Sequence, residues 1–139
     1  DLQSPAECPR RPGSRVPTMM TPSLLELEDG SFVALGSGGS NRIRSAILQG
    51  MVHLVDRGVS PLEAVEHPRI HHEDGTCRVE LPGADPEALA CLRDEVGELV
   101  TYDTRHMYFG GLHMVRWLPG GGFEGGGDPR RGGVFGIND

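Results

Sequence analysis

Apolar positions follow two different periods along this chain. Over residues 24–35 they alternate loosely around Asp29-Gly30. Asp-Gly between two apolar runs is a short-range hairpin signal. The second arm, 31–35, predicts a strand that delivers the chain into Gly36-Ser37-Gly38-Gly39-Ser40-Asn41. From 41 to 57 the period becomes helical. Ile43, Ala46, Ile47, Gly50, Met51, Leu54 and Val55 share one face, Arg42, Arg44, Gln49 and Arg57 lie mostly elsewhere, and Gly58 supplies the stop. Such a stripe predicts packing on a sheet, with His53 at a surface or boundary position.

Ser60-Pro61-Leu62-Glu63 reads as a capping box with proline at the first helical position. Its short helix must stop before Pro68, which disfavours helical geometry at His67. Residues 77–81 predict a strand. Asp85-Pro86-Glu87 opens a third helix with Leu89, Leu92 and Val96 as its apolar stripe and Gly97 at its end. Residues 99–103 and 112–118 predict strands, with Trp117 as a core anchor. The glycine-rich stretch 120–127 predicts a mobile loop. Asp128-Pro129-Arg130-Arg131-Gly132 predicts a turn before a last strand at 134–137. Residues 1–17, with Pro-Arg-Arg-Pro-Gly and little apolar content, predict an irregular segment, and 18–139 one folded unit.

Composition narrows the possible partners. A formal charge of −7 over 139 residues argues against a general nucleic-acid or anionic-membrane binder. No apolar run approaches the roughly twenty residues of a membrane span, and no signal peptide is legible at the N-terminus. Cys8, Cys77 and Cys91 form neither a metal spacing nor an even disulfide set, so three free thiols are expected. His67 with His71, and His71-His72-Glu73-Asp74, are the histidine clusters to weigh for metal; neither has a zinc-type spacing, so no metal site is expected. All thirteen basic residues are arginines, which hints at a GC-rich bacterial genome.

The chemistry concentrates in the glycine turn. Glycines let the backbone adopt positive φ and approach a ligand closely. Ser40 or Asn41 can cap the helix that follows, and amides at a helix start favour negative charge. A P-loop is excluded, because there is no lysine. The dinucleotide fingerprint also fails, because Asn41 and Arg42 stand where its third glycine is needed. What remains is a site for an anion or a developing oxyanion, or a plain strand-to-helix turn with no ligand.

The order of motifs adds to this. Thr18-Met19-Met20-Thr21-Pro22-Ser23, Asp29-Gly30, Gly36-Ser37-Gly38-Gly39-Ser40-Asn41-Arg42-Ile43, Pro68-Arg69-Ile70-His71-His72 and Asp128-Pro129-Arg130-Arg131-Gly132-Gly133 follow one another. Over roughly residues 15–136 this resembles the C-terminal part of the small subunit of γ-glutamyltransferases (γ-glutamyltranspeptidases, glutathione hydrolases). The resemblance implies an α+β fold, a partial αββα sandwich of the N-terminal nucleophile hydrolase type. It implies an enzyme that hydrolyses or transfers γ-glutamyl groups of glutathione-type substrates through an acyl-enzyme on an N-terminal threonine. It also implies an oxyanion hole at the backbone N–H groups of Gly39 and Ser40, and a substrate carboxylate bound where Thr18 and Met19 stand.

Two departures qualify the implied site. Met19 replaces a serine of the family pattern and brings no hydrogen-bond donor. None of the five threonines, Thr18, Thr21, Thr76, Thr101 and Thr104, sits in the family's processing context, so the nucleophile is expected upstream. The expected partners are therefore a γ-glutamyl small molecule and the remaining upstream chain or large subunit, with no cofactor. Family members are often periplasmic or secreted, but the compartment of this chain is not decided. A related acylase with altered acyl specificity, or a non-catalytic fragment or binding module, stays open beside the first reading.

Overall fold

The computed structural model describes residues 12, 13, 15 and 18–137. Cys8 and most of the segment expected to be irregular lie outside the described residues.

A four-stranded antiparallel sheet forms the base, in the order β1-β2-β6-β7. Strands β1 (Ser23–Glu26) and β2 (Phe32–Gly38) are the expected hairpin, and β2 runs three residues past Leu35 into the glycines. Its turn closes through Leu27 N–H to Ser31 O at 2.9 Å, while Ser31 N–H donates to the Asp29 carboxylate at 2.9 Å. Strand β6 (Gly111–Trp117) pairs with the whole of β2, ending on the pair Gly38–Gly111. Strand β7 (Phe123–Gly126) occupies part of the stretch expected to be a mobile loop. The expected strand at 134–137 does not form; residues 133–137 adopt no regular secondary structure.

Helix α1 (Arg42–Val55) lies on one face of this sheet and buries Ile43, Ala46, Ile47, Gly50 and Leu54. They join Val33, Leu35, Leu112 and Met114 from the strands, and Ala64 and Val65 from α2 (Pro61–Glu66), in one core. Burying each large aliphatic side chain contributes about 1.5–3 kcal/mol. Gly50 sets how closely α1 sits: a Cβ there would lie 2.4 Å from Met114 Cε and 2.5 Å from Leu112 Cδ2. The capping box at Ser60 forms as expected, with the Ser60 side chain accepting from Glu63 N–H and Glu63 accepting from Ser60 N–H. His53 is buried rather than peripheral, its ring stacked on His67 at 3.8 Å.

A second sheet holds β3 (Ile70–Glu73), β4 (Thr76–Glu80) and β5 (Glu98–Tyr102). The β4–β5 pairing is parallel, so the chain needs a crossover, which α3 (Pro86–Glu95) provides. α3 buries no residue fully; Leu89 and Leu92 are half-buried. α1 ties the second sheet to the first. Gln49 donates to Ile70 O at 2.8 Å and accepts from Ile70 N–H at 2.9 Å, so a side-chain amide borders β3 as a neighbouring strand does. The result is an α+β architecture: one helical layer on one sheet, with a smaller sheet beside them. Among the described residues no helix is long and apolar enough to cross a membrane.

Candidate functional site

The glycine stretch turns where β2 ends and α1 begins. Gly39 has φ +143° and Ser40 φ +58°. The left-handed conformation at Ser40 costs a non-glycine residue about 1–2 kcal/mol. The turn closes through Arg42 N–H to Gly39 O at 3.3 Å and Ile43 N–H to Ser40 O at 3.0 Å. Asn41, one of the two expected N-caps, makes no capping hydrogen bond. Its side-chain amide instead donates to Glu73 Oε1 across the gap to the second sheet. Arg42 reaches the other way: its Nε donates to Tyr108 O at 3.0 Å, and its guanidinium lies 4.9 Å from the centre of the Tyr108 ring.

Beside this turn lies a cavity of about 550 Å³, lined by Thr18, Met19, Thr21, Asn41, Arg44, Glu73 and Asp74. It brings together two predicted residues, Thr18 and Met19, with Asn41, the residue that follows Ser40. Thr18 Oγ1 accepts from Met20 N–H at 3.1 Å, which leaves its own proton to donate. Glu73 is occupied by Asn41 and by His71, whose Nε2 lies 3.4 Å from Glu73 Oε2. Burial pushes the Glu73 carboxyl up, but the His71 and Asn41 hydrogen bonds outweigh it and hold it below the ordinary value. Among the described residues Arg44 is the one cation of the lining, and sequence reasoning missed it. On the helical wheel it counted only as a residue off the apolar face.

The histidines separate. His71 faces inward and meets Ser45 Oγ at 2.7 Å, His72 is exposed on the opposite side of β3, and His67 stacks on His53. Among the described residues no group of three His, Cys, Asp or Glu is placed to hold a metal ion.

Below the turn sits a buried charge cluster. Arg69 contacts Asp128 at 2.6 Å, and Arg130 contacts Asp128 at 3.2 Å and Glu80 through Nε at 2.7 Å. Asp128 and Glu80 are fully buried. Burial alone raises the Asp128 carboxyl; Arg69, the Leu112 and Arg130 amides and Arg130 itself more than offset this, and it stays ionised below the ordinary range. Arg130 is thus buried, whereas its neighbour Arg131 is exposed. The cluster unites residues far apart in sequence, and only Pro68-Arg69 and Asp128-Pro129-Arg130 hinted at it.

Residues 3–137 match the sequence profile of the Gamma-glutamyltranspeptidase family. The chain is 38% identical over 114 residues to the Acylase ACY 1 proenzyme of Pseudomonas sp. (strain SE83), covering 82% of this chain and 20% of that protein. It is 28% identical over 120 residues to the Glutathione hydrolase of Aspergillus flavus, covering 86% and 20%. The chain thus spans about a fifth of the length of these relatives. In structure it is similar to the transpeptidase enzyme CapD of Bacillus anthracis, with a TM-score of 0.76 at 25% identity, over 91% of this chain and 75% of that one.

Proposed function

The chain belongs to the gamma-glutamyltranspeptidase family, and from that premise we propose that it is one section of an enzyme that hydrolyses or transfers γ-glutamyl groups of glutathione-type substrates. In this reading an upstream N-terminal threonine attacks the γ-amide carbonyl through its hydroxyl, with its own α-amino group taking the proton. The present section supplies the donors for the oxyanion, the N–H groups of Gly39 and Ser40. One such donor is worth ~3–4 kcal/mol of transition-state stabilisation. The tetrahedral intermediate collapses with loss of the amine, and water or an acceptor amine then releases the acyl group.

The observation that carries the reading is the cavity. Its lining holds Thr18 and Met19 together with Asn41, the neighbour of the turn. In this reading the far end of an acyl group is met by the Thr18 hydroxyl and the Arg44 guanidinium, both of which line the cavity and are suited to a carboxylate. On the same reading its carbonyl end is directed towards the Gly39–Ser40 turn, next to Asn41.

Met19 supports a second reading, an acylase of altered acyl specificity. A thioether in place of a hydroxyl removes one carboxylate donor, and the similarity to Acylase ACY 1 points the same way. The test is to produce the protein that carries this chain together with its upstream part and offer it two anilides. One carries a γ-glutamyl group, and the other a carboxylate-ended acyl group with no α-amino function. Preference for the first supports the γ-glutamyl reading, preference for the second supports the acylase, and turnover of neither leaves the non-catalytic reading. In the first case Met19→Ser is expected to raise kcat/KM for the γ-glutamyl anilide at least tenfold. A restored hydrogen bond to a charged group is worth ~1.5–3 kcal/mol.

A further inference from the structure

The turn rests on a second backbone, and that backbone is gripped from four sides. Gly110 has φ +77° and packs directly under the turn. A Cβ built on Gly39 would lie 2.7 Å from Gly110 Cα, and one built on Gly110 would lie 2.3 Å from Gly38 O. With no side chain between them, the two backbones are in contact, and a displacement of a few tenths of an ångström in one is felt by the other.

The segment 106–112 that carries Gly110 is held along its length. His106 N–H donates to Glu80 Oε1 at 2.8 Å. Tyr108 O accepts from Arg42 Nε at 3.0 Å, and Phe109 O accepts from Arg69 Nη1 at 3.4 Å. Leu112 N–H donates to Asp128 Oδ2 at 2.7 Å. Three of these four anchors, Glu80, Arg69 and Asp128, belong to the buried charge cluster. The fourth, Arg42, is the residue whose own amide closes the turn on Gly39 O.

We propose that segment 106–112 is a brace that sets the backbone geometry of the Gly39–Ser40 turn, with Asp128 and Arg42 as its positioning residues. The proposal rests on the reading of Gly39 and Ser40 as oxyanion donors. A buried cluster of two arginines and two carboxylates is a poor source of stability, because desolvation offsets most of the attraction. It is a good source of fixed geometry. Asp128 spends both oxygens: Oδ2 accepts from Leu112 N–H and Arg69, and Oδ1 accepts from the backbone N–H and Nη1 of Arg130. Preorganised donors stabilise a transition state only if they do not move when charge develops. A turn with a left-handed serine needs surroundings that over-determine it.

The experiment uses the full-length protein that carries this chain and compares Asp128→Asn and Arg42→Met with a remote control, Asp29→Asn. Amide hydrogen exchange of the peptide spanning 36–43 is read by mass spectrometry and needs no activity. Exchange at least tenfold faster than in the control is expected for both variants. Turnover of a γ-glutamyl anilide is then measured per titrated active site. A brace predicts kcat at least tenfold lower with KM within twofold, and a matching loss of affinity for a boronic-acid inhibitor that forms a tetrahedral adduct. A merely structural role predicts fewer titratable sites with unchanged kcat per site, and that result overturns the proposal. Should Asp128→Asn fail to fold, Arg42→Met decides, since it strands no buried charge. Unaltered exchange in the folded variants also overturns it. Faster exchange in a protein whose wild type turns over nothing keeps the brace and overturns the catalytic reading instead.

Discussion

The two faces of the four-stranded sheet carry similar side chains and differ in what covers them. Inward, Val33, Leu35, Leu112 and Met114 are buried under α1 and α2. Outward, Phe32, Val115, Trp117 and Phe123 stay part-exposed, with Trp117 at 38% and Phe123 at 50% exposure, and residues 134–137 border a groove with Val115 and Phe123. The residues alternate along the same strands, so neither β-propensity nor hydrophobicity separates them. Only the presence of a helix does. Strands that are apolar on both faces are the mark of a sheet covered on both sides. On the αββα plan the open face is where a facing sheet is expected to pack, and α1 with the inner face forms one helix-on-sheet half.

The largest effect that could break this comparison is on the inner face. Leu112→Ala is expected to destabilise the chain by ~2–5 kcal/mol, because Gly50 already holds α1 against Leu112 and Met114 and the site cannot collapse further. Urea unfolding measures it; a loss under 1 kcal/mol means the inner face is not the core. A middle-sized effect sharpens it through pH. Burial, then His67, Arg57 and Arg69, lower the His53 pKa from 6.5 to about 4. Between those values the unfolded chain binds more protons than the folded one, so stability falls as pH drops through 6.5 towards 4 and is fully present above that window. Allowing for the solvent that reaches the ring, about 1–2 kcal/mol is at stake. His53→Phe should flatten that slope in thermal melts from pH 7 to 4; an unchanged slope assigns it to other groups. The smallest effect concerns the outer face. Trp117→Ser is expected to change the stability of the isolated chain by less than ~1 kcal/mol, since the residue is 38% exposed on a face that no helix covers. In sedimentation it should nevertheless reduce self-association. A loss as large as that of Leu112→Ala would make the two faces equivalent.

What could be read from sequence was local. The Asp29-Gly30 hairpin and the Ser60 capping box each close within a few residues, so their chemistry is complete in a short window. Where residue type was set above position, the reading failed. His53 falls on the same helical stripe as Gly50 and Leu54, and Trp117 lies in phase with Val115 and out of phase with Met114, so periodicity alone puts the first inside and the second outside. Glycine content concealed β7 because its reason is tertiary. A Cβ on Gly125 would meet Phe135 Cδ2 at 2.2 Å, and one on Gly126 would meet Leu62 Cα at 2.9 Å. Strand β3, Ile-His-His-Glu, has little strand propensity and forms through β4 and Gln49. At the site, the motif order pointed to Gly39, Ser40, Thr18 and Met19. Arg44, Glu73 and the brace under the turn come from segments that meet only after folding.

The hold of Gln49 on Ile70 has a consequence for how this chain behaves in company. β3 borders its sheet, and a bare strand border is a template on which another polypeptide can add itself, rung by rung. In antiparallel pairing only alternate residues turn their amide groups outward. Arg69 bonds inward to Glu80 N–H, so Ile70 and His72 are the outward pair in this four-residue strand. Gln49 occupies both groups of Ile70. A would-be intruder finds a single rung at His72, too short a foothold for growth into a fibril.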